Sequence, residues 1–294
     1  MMREVTGVPI ARLNGVSLHY HVRGKGVPII WIHPPLLTSE NFNYQMAQLS
    51  DSFRLITFDI RGHGYSGTSD EPLTYRLIVE DMLALMDKLG VKQAYVGGYS
   101  TGGSIALQAL LSAPERFLGG MLISAMSEAS DMWLRGRIRG AAALTRLKSK
   151  SLISWAITWG NADSRLTYKN LRRAARKGNI ANWRQYYQYS LTYNCTDRLK
   201  DIKAPVLLIY GQSDRSFHKY ALILHEGLPN SQLYWIPKAK HQIPTKNALE
   251  MNWIIEQWVK NRCKMLPEER EEALAWSGHL YDADRDAPEE YMRH

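Results

Sequence analysis

Long apolar runs are missing from this 294-residue chain. No stretch reaches the about 18 residues that suggest a membrane-crossing helix, so no membrane span is expected. Cysteine is almost absent. Cys195 and Cys263 are the only two, too few for a disulfide framework or a zinc site, and both are expected to be reduced packing residues in a cytoplasmic protein. The opening MMREVTGVPI lacks the apolar core and small-residue cleavage site of a secretory signal. Internal repeats and low-complexity segments are missing too. With 45% apolar and 22% charged residues the composition is that of a globular chain, which argues against disorder, collagen and coiled coil. The length allows one large or two modest domains.

Acids are scarce in one place. Residues 132–200 hold fifteen Lys and Arg against Asp163 and Asp197, whereas residues 265–294 hold nine acids against three Arg. A basic stretch can bind nucleic acid or acidic lipid. Here the cations are interleaved with Trp, Leu and Ile, as on amphipathic helices, so they are read as solvated helix faces with the acidic tail as a candidate partner. No nucleic-acid partner is expected, and a homodimer is left open.

What is present is an alternation of strand and helix patterns. Ile10 to Leu13, then Asn14-Gly15, then residues 16–22 read as a hairpin around a tight turn. Continuous apolar runs at 28–33, 54–59, 94–99, 117–124, 206–210 and 231–236 read as strands buried on both faces. Between them, Val79, Met82, Leu83, Met86 and Leu89 recur at helical spacing, with Gly90 as a stop. Residues 100–113, halted by Pro114, and 247–263 are further helices. This order predicts an α/β fold, with a mostly parallel central sheet and helices on both faces. The alternation breaks at residues 128–200, which carry helical patterns and no convincing strand. The expected organisation is a core of 1–127 and 201–264, a helical cap or lid at 128–200 and an acidic C-terminal extension at 265–294, with a helix over 266–276.

Gly98-Tyr99-Ser100-Thr101-Gly102 is a GxSxG placed where a predicted strand turns directly into a predicted helix. The bare motif is weak, but at such a corner the serine takes a strained conformation that presents its hydroxyl above the sheet. The helix N-terminus aims free amides at the same spot. A serine hydroxyl needs a base to take its proton. Of nine histidines, only His241 lies in the loop after the last predicted strand, at the same carboxyl edge of the sheet as Ser100. Asp214 follows the strand at 206–210 at that edge and is the expected orienting carboxylate. Glu128 is its rival, and Asp59 is expected to be structural, holding the loop RGHGYSG. The chain order is thus Ser, Asp, His.

At this point the sequence resembles the α/β-hydrolase fold family, and within it the serine carboxylesterases. The resemblance is carried by the strand end at His33, by residues 58–67 (FDIRGHGYSG), by the GYSTG corner, by Gly211 to Asp214 and by His241, in family order. It spans about residues 10–127 and 201–264. It implies a triad of Ser100, His241 and Asp214 working through an acyl-enzyme, with no metal or organic cofactor. It also implies an oxyanion hole from the Thr101 amide and a second amide after His33. There the family commonly has His-Gly, whereas this chain reads His33-Pro34-Pro35-Leu36. Pro35 has no N–H, so the second donor is expected to be Leu36 after a one-residue shift. Ser100 departs from the aspartate nucleophile of epoxide hydrolases and haloalkane dehalogenases of this fold. Gln242 departs from the lysine that hydroxynitrile lyases place soon after the histidine.

The resulting expectation is a serine hydrolase cleaving carboxylic esters of small to medium size, with a small-molecule ester as partner. Pro35, Leu37, Trp133, Trp155, Trp159 and Tyr187 are the expected walls of an apolar pocket. A C–C bond hydrolase or thioesterase of the same fold, or a small-molecule binder without turnover, are the alternatives.

Overall fold

The computed structural model describes residues 9–147 and 149–264. The expected acidic extension and its helix lie outside the described residues. The chain opens with strands β1 (Ile10–Leu13) and β2 (Val16–Arg23), antiparallel and paired Leu13 to Val16. Their turn forms because Asn14 and Gly15 both take positive φ, 47° and 75°, a conformation that matches strand twist and suits these two residue types. β3 (Pro28–Ile32), β4 (Arg54–Phe58), β5 (Ala94–Tyr99), β6 (Phe117–Ile123), β7 (Val206–Gly211) and β8 (Ser231–Ile236) complete one eight-stranded sheet in the order 1-2-4-3-5-6-7-8. β2 meets β4 antiparallel, and all later neighbours are parallel.

Between strands lie the helices α1 (Asn43–Gln48), α2 (Tyr75–Lys88), α3 (Thr101–Ser112) and α8 (Arg215–Gly227), and after β8 come α9 (Ile243–Lys246) and α10 (Ala248–Lys264). The two-residue alternation of side chains splits every central strand between two cores. Ile30, Ile32, Val96, Leu122 and Leu208 face α2, α3 and α8, while Ile29, Trp31, Tyr95, Met121 and Leu207 face α1 and α10. That is why the strand sequences are apolar throughout rather than alternating. α2 starts where the Thr74 hydroxyl accepts from Leu77 N–H, and just beyond its end Gly90 takes φ 67°.

Between β6 and β7 lie α4 (Met132–Leu144), α5 (Lys150–Asn161), α6 (Arg165–Ala175) and α7 (Ile180–Thr192). Each begins at a side chain that accepts from its first turn, Asp131, Ser149, Ser164 and Asn179 in order. The segment is closed at its base by an antiparallel bridge of Glu128 with Asn194. Asn182 on α7 ties it to the body by imitating a backbone group. Its amide donates to Ser69 O at 3.2 Å and its Oδ1 accepts from Ser69 N at 3.1 Å. On the other side, Tyr44 on α1 donates to Asp163 at 2.7 Å.

Cys195 is buried, as expected, and burial pushes its thiol up to about 11. Cys263 corrects the sequence reading. It is exposed in the last turn of α10, beyond the core residues Met251, Ile255, Trp258 and Val259.

Candidate active site

The sheet order reverses direction between β3 and β5: the chain goes from β3 outward to β4, then returns to the other side of β3 for β5. Loops leaving the carboxyl ends of two such strands diverge and leave a crevice between them. Ser100 stands at that crevice, between β5 and α3, with φ 54° and ψ −124°. Its backbone is fixed from both sides, since its N–H donates to Ile123 O at 2.8 Å and its carbonyl accepts from Gly103 N at 2.9 Å. The corner is this sharp only because neighbours lack side chains. A Cβ on Gly98 would come within 2.2 Å of Gly102 O, and one on Gly102 within 2.2 Å of Ile32 O.

Residues distant in sequence meet here. His241 Nε2 lies 3.1 Å from Ser100 Oγ, and His241 Nδ1 lies 2.8 Å from Asp214 Oδ2. The loops bearing the last two touch directly, with Ser213 N donating to Ala239 O at 2.8 Å. Asp214 sits at the N-terminus of α8, where the helix dipole favours a carboxylate. Its second oxygen accepts from Ser216 Oγ at 3.0 Å. The imidazole is held between rings, 4.2 Å from Phe217 and 5.4 Å from Tyr99 between centroids. Ser124, also at positive φ (44°), donates its hydroxyl to His241 O at 3.2 Å. Ser216, Phe217 and Ser124 were not singled out from sequence. No spacing rule marks them, because each acts through a contact across the fold.

Glu128 is elsewhere, accepting from Asn194 Nδ2 at 2.7 Å at the base of the α4–α7 segment. Asp59 is fully buried and satisfies four donors: Ser39 N, Ser39 Oγ, Tyr65 N and His19 Nδ1. Burial by itself raises its carboxyl. The His19 hydrogen bond, the neighbouring imidazoles and the Tyr65 amide outweigh that and hold it at about 2.

Beside the crevice, the loop after β3 is shaped by its prolines. His33 donates from Nδ1 to Pro34 O at 2.9 Å and accepts at Nε2 from Ile60 N at 3.0 Å. A backbone acceptor on one nitrogen and a backbone donor on the other fix one neutral tautomer, and burial lowers its affinity for a proton. Pro34 and Pro35 carry no N–H, so Leu36 is the first residue beyond them able to donate. Leu36 is held at φ 70°, a conformation unusual for a branched side chain. Its side chain is fully buried against Ile153, Ala175 and Trp183 of α5, α6 and α7. Leu37 is buried in the core on the α10 side of the sheet. Thr101 opens α3, where a backbone N–H has no partner within the helix.

The aromatic residues expected at the pocket fall into two groups. Tyr187 is buried in the cluster that also holds Leu134, Ile138 and Phe217. Trp133, Trp155 and Trp159 are 55%, 47% and 65% exposed. Trp133 lies under the Arg137 guanidinium and Trp159 against the edge of Tyr168. α5 is apolar on two sides, and the stripe of Ile153 and Ile157 took the inner one. Among the described residues no group of His, Cys, Asp and Glu is arranged to hold a metal, and no helix is long and apolar enough to cross a membrane.

The profile of the α/β hydrolase fold matches residues 27–247, well over half of the chain, and the chain belongs to this family. It is similar to the serine hydrolase BPHL of Homo sapiens, with 25% identity over 267 residues and 87% of each chain covered. Among solved structures, the enol-lactonase from Burkholderia xenovorans LB400 superposes with a TM-score of 0.77 at 19% identity, over 86% of this chain and 100% of the other. A thermophilic esterase from Thermogutta terrifontis superposes with a TM-score of 0.72 at 21% identity, over 84% and 94%. The two structural likenesses speak to fold. The chain is an α/β hydrolase in this sense, with a serine at the corner between β5 and α3.

Proposed function

We propose that the protein is a serine hydrolase that cleaves carboxylic esters of small to medium size through an acyl-enzyme. The observation that carries this is the line from Ser100 Oγ through His241 to Asp214, with hydrogen-bond lengths of 3.1 and 2.8 Å. Along it a proton can leave the serine as the bond to an acyl carbon forms. Ser100 attacks the ester carbonyl. His241 Nε2 takes the hydroxyl proton and returns it to the leaving alcohol, while Asp214 holds the Nδ1–H tautomer and stabilises the imidazolium. Water, activated by the same imidazole, then releases the acid.

The developing oxyanion is assigned to the amides of Thr101 and Leu36. Support for Leu36 is its left-handed backbone directly after two residues that cannot donate. Support for an acyl carbon as the target comes from the enol-lactonase and esterase among the structural neighbours. The segment α4–α7 is the cap in this scheme, since α5, α6 and α7 bury Leu36 from above.

The test is a panel of p-nitrophenyl esters of graded acyl length with Ser100→Ala as control. Turnover should be greatest on short and medium acyl chains. It should fall by about 10⁴-fold or more in the variant, with fluorophosphonate labelling abolished. Undiminished turnover in Ser100→Ala moves the chemistry elsewhere. Stoichiometric labelling of the parent protein without turnover on esters, thioesters or diketones makes it a binder.

A further inference from the structure

The outer side of α5 and α6 sets exposed apolar side chains beside exposed basic ones. Leu152, Trp155, Ala156 and Trp159 recur at three- and four-residue spacing along α5 and all face solvent. An apolar helix stripe left half exposed or more is unusual in a protein that has already buried the opposite stripe. The neighbouring α6, RLTYKNLRRAA, turns Arg165, Lys169 and Arg173 outward and contains no carboxylate, nor does α5. The two helices are joined side to side. Trp159 packs edge-on against Tyr168 at 5.6 Å, Arg172 lies over Tyr168 at 5.8 Å, and Arg172 donates to Ser151 Oγ at 3.1 Å. Apolar ridge and basic flank therefore form one surface.

We infer that this α5–α6 face docks onto the surface of an anionic lipid bilayer. The chemistry fits that partner on two counts. Tryptophan and leucine on one side of a helix enter the boundary between headgroups and acyl chains, while lysine and arginine beside them pair with lipid phosphates. The aliphatic members Leu152 and Ala156 have no use in gripping nucleic-acid bases. A second copy of the chain would bring two basic flanks together. The placement also has a consequence. Ile153 on the inner side of α5 shares a buried cluster with Leu36 of the loop after β3, so one helix diameter, about 10 Å, separates the docking face from that loop. An amphiphile leaving the bilayer would arrive at the roof of the site.

The full-length protein is sedimented with phosphatidylcholine vesicles and with vesicles that also contain phosphatidylglycerol, at low and high salt. Binding is expected only to the anionic vesicles and should weaken with salt. Trp155→Ser with Trp159→Ser should reduce affinity by about tenfold or more. Lys169→Glu with Arg173→Glu should reduce it by about fivefold for each charge removed. Brominated acyl chains should quench tryptophan fluorescence in the parent and less in the tryptophan variant. Four results would overturn the inference. They are equal binding of parent and both variants, a dimer in light scattering that the tryptophan variant dissociates while vesicles are ignored, carbodiimide cross-links from Lys169 to carboxylates within 265–294 of the same chain without vesicle binding, and retention of a single-stranded oligonucleotide in preference to vesicles.

Discussion

Ser100 shows how one residue carries backbone strain at the place where the proposed chemistry needs it. Its φ of 54° with ψ −124° lies where a residue with a Cβ costs about 1–3 kcal/mol. The surroundings hold it there: amide and carbonyl are both bonded, and the facing positions are glycines. Ser100→Gly relieves that strain but adds freedom to the unfolded chain, a partial offset. The net expectation is a protein more stable by about 1 kcal/mol and, under the proposed function, without ester turnover. A urea midpoint below that of the parent would show that the corner is not strained. Leu36 is the second such residue, and its restraint comes from elsewhere. Its left-handed backbone is locked by a side chain buried under three helices of another segment.

At the scale of elements, the site is an agreement between loops. β7 and β8 pair in parallel along their whole length, so the loops after them emerge side by side. Gly211, the last residue of β7, lets them close. A Cβ there would meet Ala239 O at 2.5 Å and Lys240 O at 2.6 Å, the two residues before His241. Gly211→Ala should thus part Asp214 from His241 while leaving the cores intact. The expected result is a fall in kcat of about 10²-fold with a circular dichroism spectrum like the parent's. Unchanged kcat in a folded variant would mean the two loops yield without disturbing the triad.

The elements themselves were largely legible. The hairpin around Asn14-Gly15 and the six strand runs stand where expected, ending within a residue or so of the patterns, but β8 departs from the expected burial on both faces because it is the edge strand and leaves Tyr234 exposed. A two-residue period or an unbroken apolar run reports burial, and in a parallel sheet burial is what makes a strand. The four caps of α4 to α7 were readable in principle, as Asp, Ser and Asn before amphipathic runs. Which side of α5 would be buried was not readable, because Leu152, Trp155 and Trp159 form as good an apolar stripe as Ile153 and Ile157. The inner side was chosen by what lay beneath it.

The whole molecule combines buried titratable groups of opposite kind, and both make it sensitive to acid. His63 is fully buried, and desolvation, with the nearby His33 adding to it, lowers it from 6.5 to about 3. It is neutral in the fold while the unfolded chain takes up a proton below about pH 6.5. Stability is accordingly lost as pH falls from about 6.5 toward 3, at up to about 1.4 kcal/mol per unit. Asp59 is depressed from 3.8 to about 2. Its contribution, about 2 kcal/mol, is complete above about pH 4 and disappears as pH falls toward 2. Urea midpoints measured from pH 7 to pH 2 should therefore decline continuously. His63→Gln should flatten the upper limb and Asp59→Asn the lower one, the latter from a lower starting stability because Ser39 and Tyr65 lose a charged acceptor. A parent curve flat between pH 6 and 4 would contradict the buried neutral histidine.

The amino-acid sequence by itself determined the strand and helix periods, the serine at a strand-to-helix corner, and the order Ser100, Asp214, His241. These are local facts, written in residue type and spacing. Tertiary structure alone decided that His241 reaches Ser100, that Phe217 and Ser216 steady the imidazole and its carboxylate, that Leu36 is pinned with a positive φ, and that three tryptophans stay outside. Each depends on which surfaces meet across tens or hundreds of residues. Side-chain periodicity reports that a face is apolar, but only packing supplies the partner that covers it or leaves it bare.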